Sequence, residues 1–188
     1  MIPSLLIAPT MPVEETAAWT TCEEQARAAD FANERRRQEF LTWRAVVRRE
    51  LGRNIRIAYD ELGAPVLPDG EAFISVSHCD GRVAVCLSRR RCAVDIEPAG
   101  RNFMRVADRF LTPAEAMLSG DPHWPGFVWC AKETLYKYAG RAGLDFLADL
   151  RIEGADLAAG WISGRIGGGD PVRLGARLAD GFLIVHIL

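Results

Sequence analysis

The sequence predicts an α+β chain built as two comparable halves. A helix followed by strands occurs twice along it, the helical stretches keep their apolar residues at helical spacing, and the strand stretches are short runs bounded by glycine-bearing turns. Thr21 followed by Glu24 has capping-box spacing and starts a short helix; Asn33 caps a longer one ending near Leu51, with Gly52 just beyond. Within that helix Phe40, Trp43, Val47 and Leu51 form the stripe to be buried, while Arg37, Arg44 and Arg48 share another face. Strands follow at Ile55–Tyr59, Ala72–Ser77, Val83–Ser88 and Cys92–Glu97, separated by turns at Gly63-Ala64-Pro65, Cys79-Asp80-Gly81 and Arg89–Arg91. Thr112-Pro113-Ala114-Glu115 starts the second half's first helix, with Gly120 closing it and Asp121–Gly126 read as a loop. Phe127–Ala139 reads as a helix stopped by Gly140. Strands at Leu150–Glu153, Trp161–Ile166, Val172–Leu178 and Phe182–Leu188 complete the chain. The expected division is 1–93 for the N-terminal half, with the arginine-rich helix, and 94–188 for the C-terminal half.

Composition narrows the function. The 188 residues are 49% hydrophobic and 26% charged, ordinary for a globular chain with a real core. Twenty-three basic against 25 acidic residues give a net charge of −2, which argues against a surface built for nucleic acid, so any anion site is local. Five scattered cysteines without a C-x-x-C pair suggest neither a disulfide scaffold nor a zinc knuckle and fit a reducing cytoplasm. MIPSLLIAPTMP has no basic leader region, and no apolar run reaches ~18 residues, so the expectation is a soluble cytoplasmic protein without a membrane partner. One detail is sharper. Twenty-one of the basic residues are arginine, and the only lysines are Lys132 and Lys137.

Four groupings can carry chemistry. Alternation along Cys92–Glu97 puts Asp95 and Glu97 on one strand face; side by side they repel unless a cation sits between them, and hard oxygens of this kind suit Mg²⁺. A solvated edge is the plainer reading of that pair. On the helix that follows, Trp129, Glu133 and Lys137 fall at i, i+4 and i+8 on one stripe, either as an exposed Glu–Lys pair over Trp129 or as a partly buried site. Ser75-Val76-Ser77-His78 ends a strand before a turn, so His78 sits at a rim; no G-x-S-x-G elbow supports Ser77 as a hydrolase nucleophile. Arg35-Arg36-Arg37 with Arg44, Arg48, Arg49, Arg53 and Arg56 reads either as a solvated helix face or as phosphate recognition by forked guanidiniums.

Together, S-x-S-H, D-x-E seventeen residues after the histidine, F-x-T-x-x-E (Phe110, Thr112, Glu115) and W-x-x-K-E-x-x-x-K, followed by G-x-x-G-L (Gly140, Gly143, Leu144), resemble the 4′-phosphopantetheinyl transferases. Length and the Gly63-x-Pro65 turn resemble the longer monomeric type rather than the short trimeric holo-acyl-carrier-protein synthases. Ala93 stands where a glycine is common, and Thr134 where alanine or serine usually follows the glutamate; neither change removes a chemical group. The resemblance implies a pseudo-dimer of two α+β halves with the active site in the cleft between them. It implies transfer of the phosphopantetheine arm of coenzyme A to a serine of an apo acyl or peptidyl carrier protein, with release of 3′,5′-ADP. Asp95, Glu97 and Glu133 would hold Mg²⁺. Glu133, or Glu97 through a water, would take the serine proton. Lys137 would neutralise or protonate the departing phosphate with Lys132 close by. Arg36, Arg44, Ser77 and His78 would bind coenzyme A, with His78, Arg36 and Arg44 on its 3′-phosphate. A Mg²⁺-dependent phosphohydrolase could use the same three carboxylates, and a non-catalytic anion-binding module would rely on the arginine helix alone.

Overall fold

The computed structural model describes residues 3–68, 70 and 72–188. In chain order these form β1 (Ser4–Pro9), α1 (Val13–Thr16), α2 (Cys22–Ala29), α3 (Glu34–Leu51), β2 (Ala58–Tyr59), β3 (Pro65–Val66), β4 (Phe73–Cys79), β5 (Arg82–Ser88) and β6 (Ala93–Pro98). After a 3₁₀ stretch at Phe103–Arg109 come α4 (Pro113–Ala116), α5 (Trp124–Ala139), β7 (Leu150–Asp156), β8 (Trp161–Ile166), β9 (Val172–Ala179) and β10 (Phe182–Ile187). The fold class is α+β, as the sequence predicts. Two compact units divide the chain: one runs up to Arg91 and includes Leu188, and the other is Cys92–Ile187. Among the described residues no helix is long and apolar enough to cross a membrane.

In the first unit α3 lies on an antiparallel sheet of order β1-β5-β4, and Trp43 and Val47 pack against Val83, Val85 and Leu87. Asn33 caps α3 by accepting from the Arg36 N–H. Asp80 and Gly81, at φ 40° and 73°, make the two-residue turn between β4 and β5; positive φ at both positions matches the right-handed twist of the flanking strands. The sequence reading does not anticipate β1. SLLIAP lacks polar–apolar alternation, and it becomes a strand because β5 offers a full register from Leu87 opposite Ser4 to Arg82 opposite Pro9. Of the strand expected at Ile55–Tyr59, only Ala58–Tyr59 pairs, with Pro65–Val66.

The second unit packs α5 on a five-stranded antiparallel sheet of order β6-β10-β9-β8-β7. Val128, Ala131 and Leu135 of α5 meet Leu150, Ile162, Leu174, Leu183 and Val185 in its core. The helix starts at Trp124, inside the expected loop, because Pro125 stands in the first turn, where its missing N–H costs nothing. Gly126 lets that turn approach the sheet: a Cβ there would collide with the Leu183 side chain of β10 and lie 2.7 Å from the Phe103 ring. β6 is an edge strand of this sheet, paired on one side with β10, and it runs beneath α5.

Candidate functional site

Strand alternation and helix periodicity bring one set of predicted residues together in the second unit. Asp95 on β6 is 5% exposed, and the Lys137 ammonium of α5 donates to its Oδ1 at 2.8 Å and to the Val94 carbonyl at 3.0 Å. Two β6 positions on, the Glu97 Oε1 accepts from the Trp129 indole N–H at 3.0 Å and from Arg101 at 2.5 Å. One turn after Trp129 comes Glu133. Burial first, then the negative charge of Asp95, pushes its carboxyl above the ordinary glutamate value; Glu97 adds to the rise, while Lys137 and Arg101 oppose it. Asp95, Glu97 and Glu133 therefore act on one another, with Lys137 and Arg101 opposing them. Cys130 and Arg101 belong to this neighbourhood, and the sequence reading misses both. The buried Cys130 thiol is held neutral, far above its ordinary value, by burial and then by the charges of Asp95 and Glu97, and it hydrogen-bonds to Asp95. Its placement three residues before Glu133 on α5 was the available signal.

Among the described residues no group of three His, Cys, Asp or Glu side chains stands ready-made to hold a metal ion. Asp95 is instead salt-bridged to Lys137, and Glu97 to Arg101. The donor chemistry still fits a hard divalent cation, since Asp95, Glu97 and Glu133 all offer carboxylate oxygens.

Lys132 does not join this group. Its ammonium is fully buried, donates to Glu115 Oε2 at 2.9 Å and to the Phe146 carbonyl at 2.8 Å, and lies 2.8 Å from Glu115 Oε1 in an ion pair. Glu115 is also the third residue of the Thr112 capping box, and its Oε1 accepts from the Ile152 N–H. The first unit repeats the device. Glu24, third residue of the Thr21 capping box, grips the buried Arg48 with both oxygens at 2.7 and 2.9 Å. Burial alone would raise the Glu24 pKa, but the hydrogen bonds from Arg48 and Thr21 and the charges of Arg48 and Arg44 hold it below the ordinary value.

Of the four predicted coenzyme A-binding residues, the structure joins two. Arg36 Nη1 lies 2.6 Å from His78 Nε2, and Glu39 Oε2 lies 3.1 Å from His78 Nδ1. Arg36 and His78 are partly exposed, at 49% and 30% of their side-chain surface, so a ligand can reach them. Ser77 is buried on β4 and, by alternation, points to the sheet face opposite His78. Arg44 is 2% exposed, stacked on Phe40 and Trp43, and bonded to the Phe40 carbonyl and the Tyr59 hydroxyl. Burial lowers its pKa, against the pull of Tyr59 and Glu24. It lines a cavity of about 440 Å³ with Arg27, Arg48, Arg56, Phe40 and Tyr59.

Residues 23–88 match the 4′-phosphopantetheinyl transferase N-terminal domain, and residues 91–172 match the 4′-phosphopantetheinyl transferase superfamily. The two matches follow the two units and span most of the chain. The chain belongs to the phosphopantetheinyl transferase family, whose general activity is phosphopantetheine transfer. A comparison with curated proteins finds no match.

Proposed function

We propose that the protein moves the 4′-phosphopantetheine arm of coenzyme A onto a serine hydroxyl of an apo acyl or peptidyl carrier protein and releases 3′,5′-ADP. The observation that carries this reading is the β6–α5 cluster, in which Asp95, Glu97 and Glu133 share a field and Lys137 is pinned to Asp95. Phosphoryl transfer needs positioning and charge neutralisation more than covalent help. Asp95, Glu97 and Glu133 are the residues to hold Mg²⁺, which when bound stabilises charge developing on the pyrophosphate. Glu133, or Glu97 through a water, accepts the serine proton as the oxygen bonds to the phosphorus next to pantetheine. Lys137 meets the oxygen of the departing 3′,5′-ADP when the pyrophosphate bridge breaks. In the N-terminal unit Arg36 and His78 bind the 3′-phosphate, and Arg44, two turns further along α3, adds positive charge on that helix. We assign Lys132 to the core rather than to the chemistry, since it is fully buried and paired with Glu115 and the Phe146 carbonyl.

The test is intact mass spectrometry of apo fatty-acid, polyketide and peptide carriers incubated with coenzyme A and Mg²⁺. At least one carrier should gain the phosphopantetheine mass with the wild-type chain and none with Asp95→Asn, an isosteric change that keeps the fold. No gain on any carrier with the wild-type chain would overturn the proposal.

A further inference from the structure

We propose that Trp129 is a positioning residue: its indole N–H fixes which oxygen of Glu97 is presented to a divalent cation, an inference that rests on the metal reading above. The Trp129 Nε1–H and the Arg101 guanidinium converge on the same atom, Glu97 Oε1, at 3.0 and 2.5 Å. With Oε1 held by two donors, Oε2 would be the oxygen left to a divalent cation. A carboxylate whose rotation is fixed in this way loses little freedom on ligation, as expected for outer-shell partners of metal ligands.

The indole is itself held on several sides, so it is a rigid donor. Its ring meets Phe110 edge-on at 5.2 Å and lies tilted against Phe146 at 5.7 Å. The Arg101 guanidinium sits over its face at 5.1 Å, and also over Phe103 at 5.0 Å. Arg101 therefore reaches Glu97 along the aromatic surface that Trp129 provides, so the two donors depend on one ring. The placement follows from local structure: Trp129 is one helical turn before Glu133, and Arg101 is four residues after Glu97, in the turn that ends β6. An apolar ring of the same shape would serve packing equally well. The N–H is what packing alone does not require.

The inference is tested by Mn²⁺ binding followed by electron paramagnetic resonance, with neither coenzyme A nor carrier present, so that turnover plays no part. Trp129→Phe keeps a ring against Phe110 and Phe146 and removes the donor; Mn²⁺ should bind it ~10-fold or more weakly than the wild-type chain. Phe146→Leu trims one side of that packing while Phe110 still holds the indole and the donor remains; it should melt earlier yet lose clearly less Mn²⁺ affinity than Trp129→Phe. Equal Mn²⁺ affinity in Trp129→Phe and wild type overturns the inference, and so does a loss in Phe146→Leu as large as that in Trp129→Phe. If Asp95→Asn binds Mn²⁺ as tightly as the wild-type chain, the metal reading itself fails and takes this inference with it.

Discussion

Replacing Lys132 with methionine separates a core cation from a catalytic one. The substitution leaves Glu115, 3% exposed, with the Thr112 N–H and hydroxyl and the Ile152 N–H as hydrogen-bond donors but without its ammonium partner. Breaking a buried ion pair from one side costs about 3–5 kcal/mol, because the remaining charge is stranded in a poorly solvating interior. With a urea dependence of about 2 kcal/mol per molar, the unfolding midpoint should fall by about 2 M. The double variant Lys132→Met/Glu115→Gln removes the stranded charge while the amide oxygen still accepts from Ile152, so it should regain at least ~1 kcal/mol of that loss. Urea unfolding followed by far-ultraviolet circular dichroism reads both numbers. In the cold, where Lys132→Met is folded, its single-turnover transfer rate should stay within about tenfold of wild type, since no reacting group has been removed. A Lys132→Met chain as stable as wild type yet dead in transfer would refute the reasoning and return Lys132 to the chemistry.

The other expectations concern Lys137, the 3′-phosphate and pH. If Lys137 donates a proton to the leaving group, Lys137→Arg should fail almost as badly as Lys137→Met, because a guanidinium is a poor acid; a near wild-type single-turnover rate for Lys137→Arg with unchanged metal affinity would exclude proton donation. Calorimetry should find coenzyme A bound more tightly than its 3′-dephospho analogue by ~1.5–3 kcal/mol, with the difference largely lost in Arg36→Ala; equal affinities in the wild-type chain would return Arg36 and His78 to a solvated face. Burial, and after it the Arg177 charge, lowers the His186 pKa below 6.5. As pH falls, the unfolded chain takes up that proton first, so the stability His186 contributes is full above the unfolded value and is lost as pH drops through it toward the lower folded value. His186→Gln should therefore flatten the decline of the urea midpoint between about pH 7 and pH 5, and an unchanged slope would contradict this.

What the sequence disclosed and what it concealed have a common physical origin. Local rules reach Asn33 and Gly52 at the ends of α3, the Asp80-Gly81 turn, and the alternation that puts Asp95 and Glu97 on one face, because each depends on neighbours within a few residues. The same rules place Trp129, Glu133 and Lys137 on one stripe of α5, where the structure has them. Long-range partners are what local rules lack. Glu24 and Glu115 read as the third residues of capping boxes, and they are; each is also the counter-charge of a buried cation 24 or 17 residues further on, Arg48 or Lys132. Without that knowledge the burial of Arg44, Arg48 and Lys132 is invisible, because nothing local to them marks the counter-charge. β1 was hidden for the same reason, since its pairing is decided by β5, more than seventy residues away. The Trp129–Glu97 bond spans 32 residues and has no local signature either.

The most direct test of the account is stoichiometry in a single turnover. With coenzyme A, Mg²⁺ and an apo carrier that the wild-type chain modifies, carrier mass gain and free 3′,5′-ADP should appear together, one to one, and both should vanish when the carrier serine is replaced by alanine. Release of 3′,5′-ADP at an undiminished rate without carrier labelling would mean that water rather than serine is the acceptor, and would contradict the account.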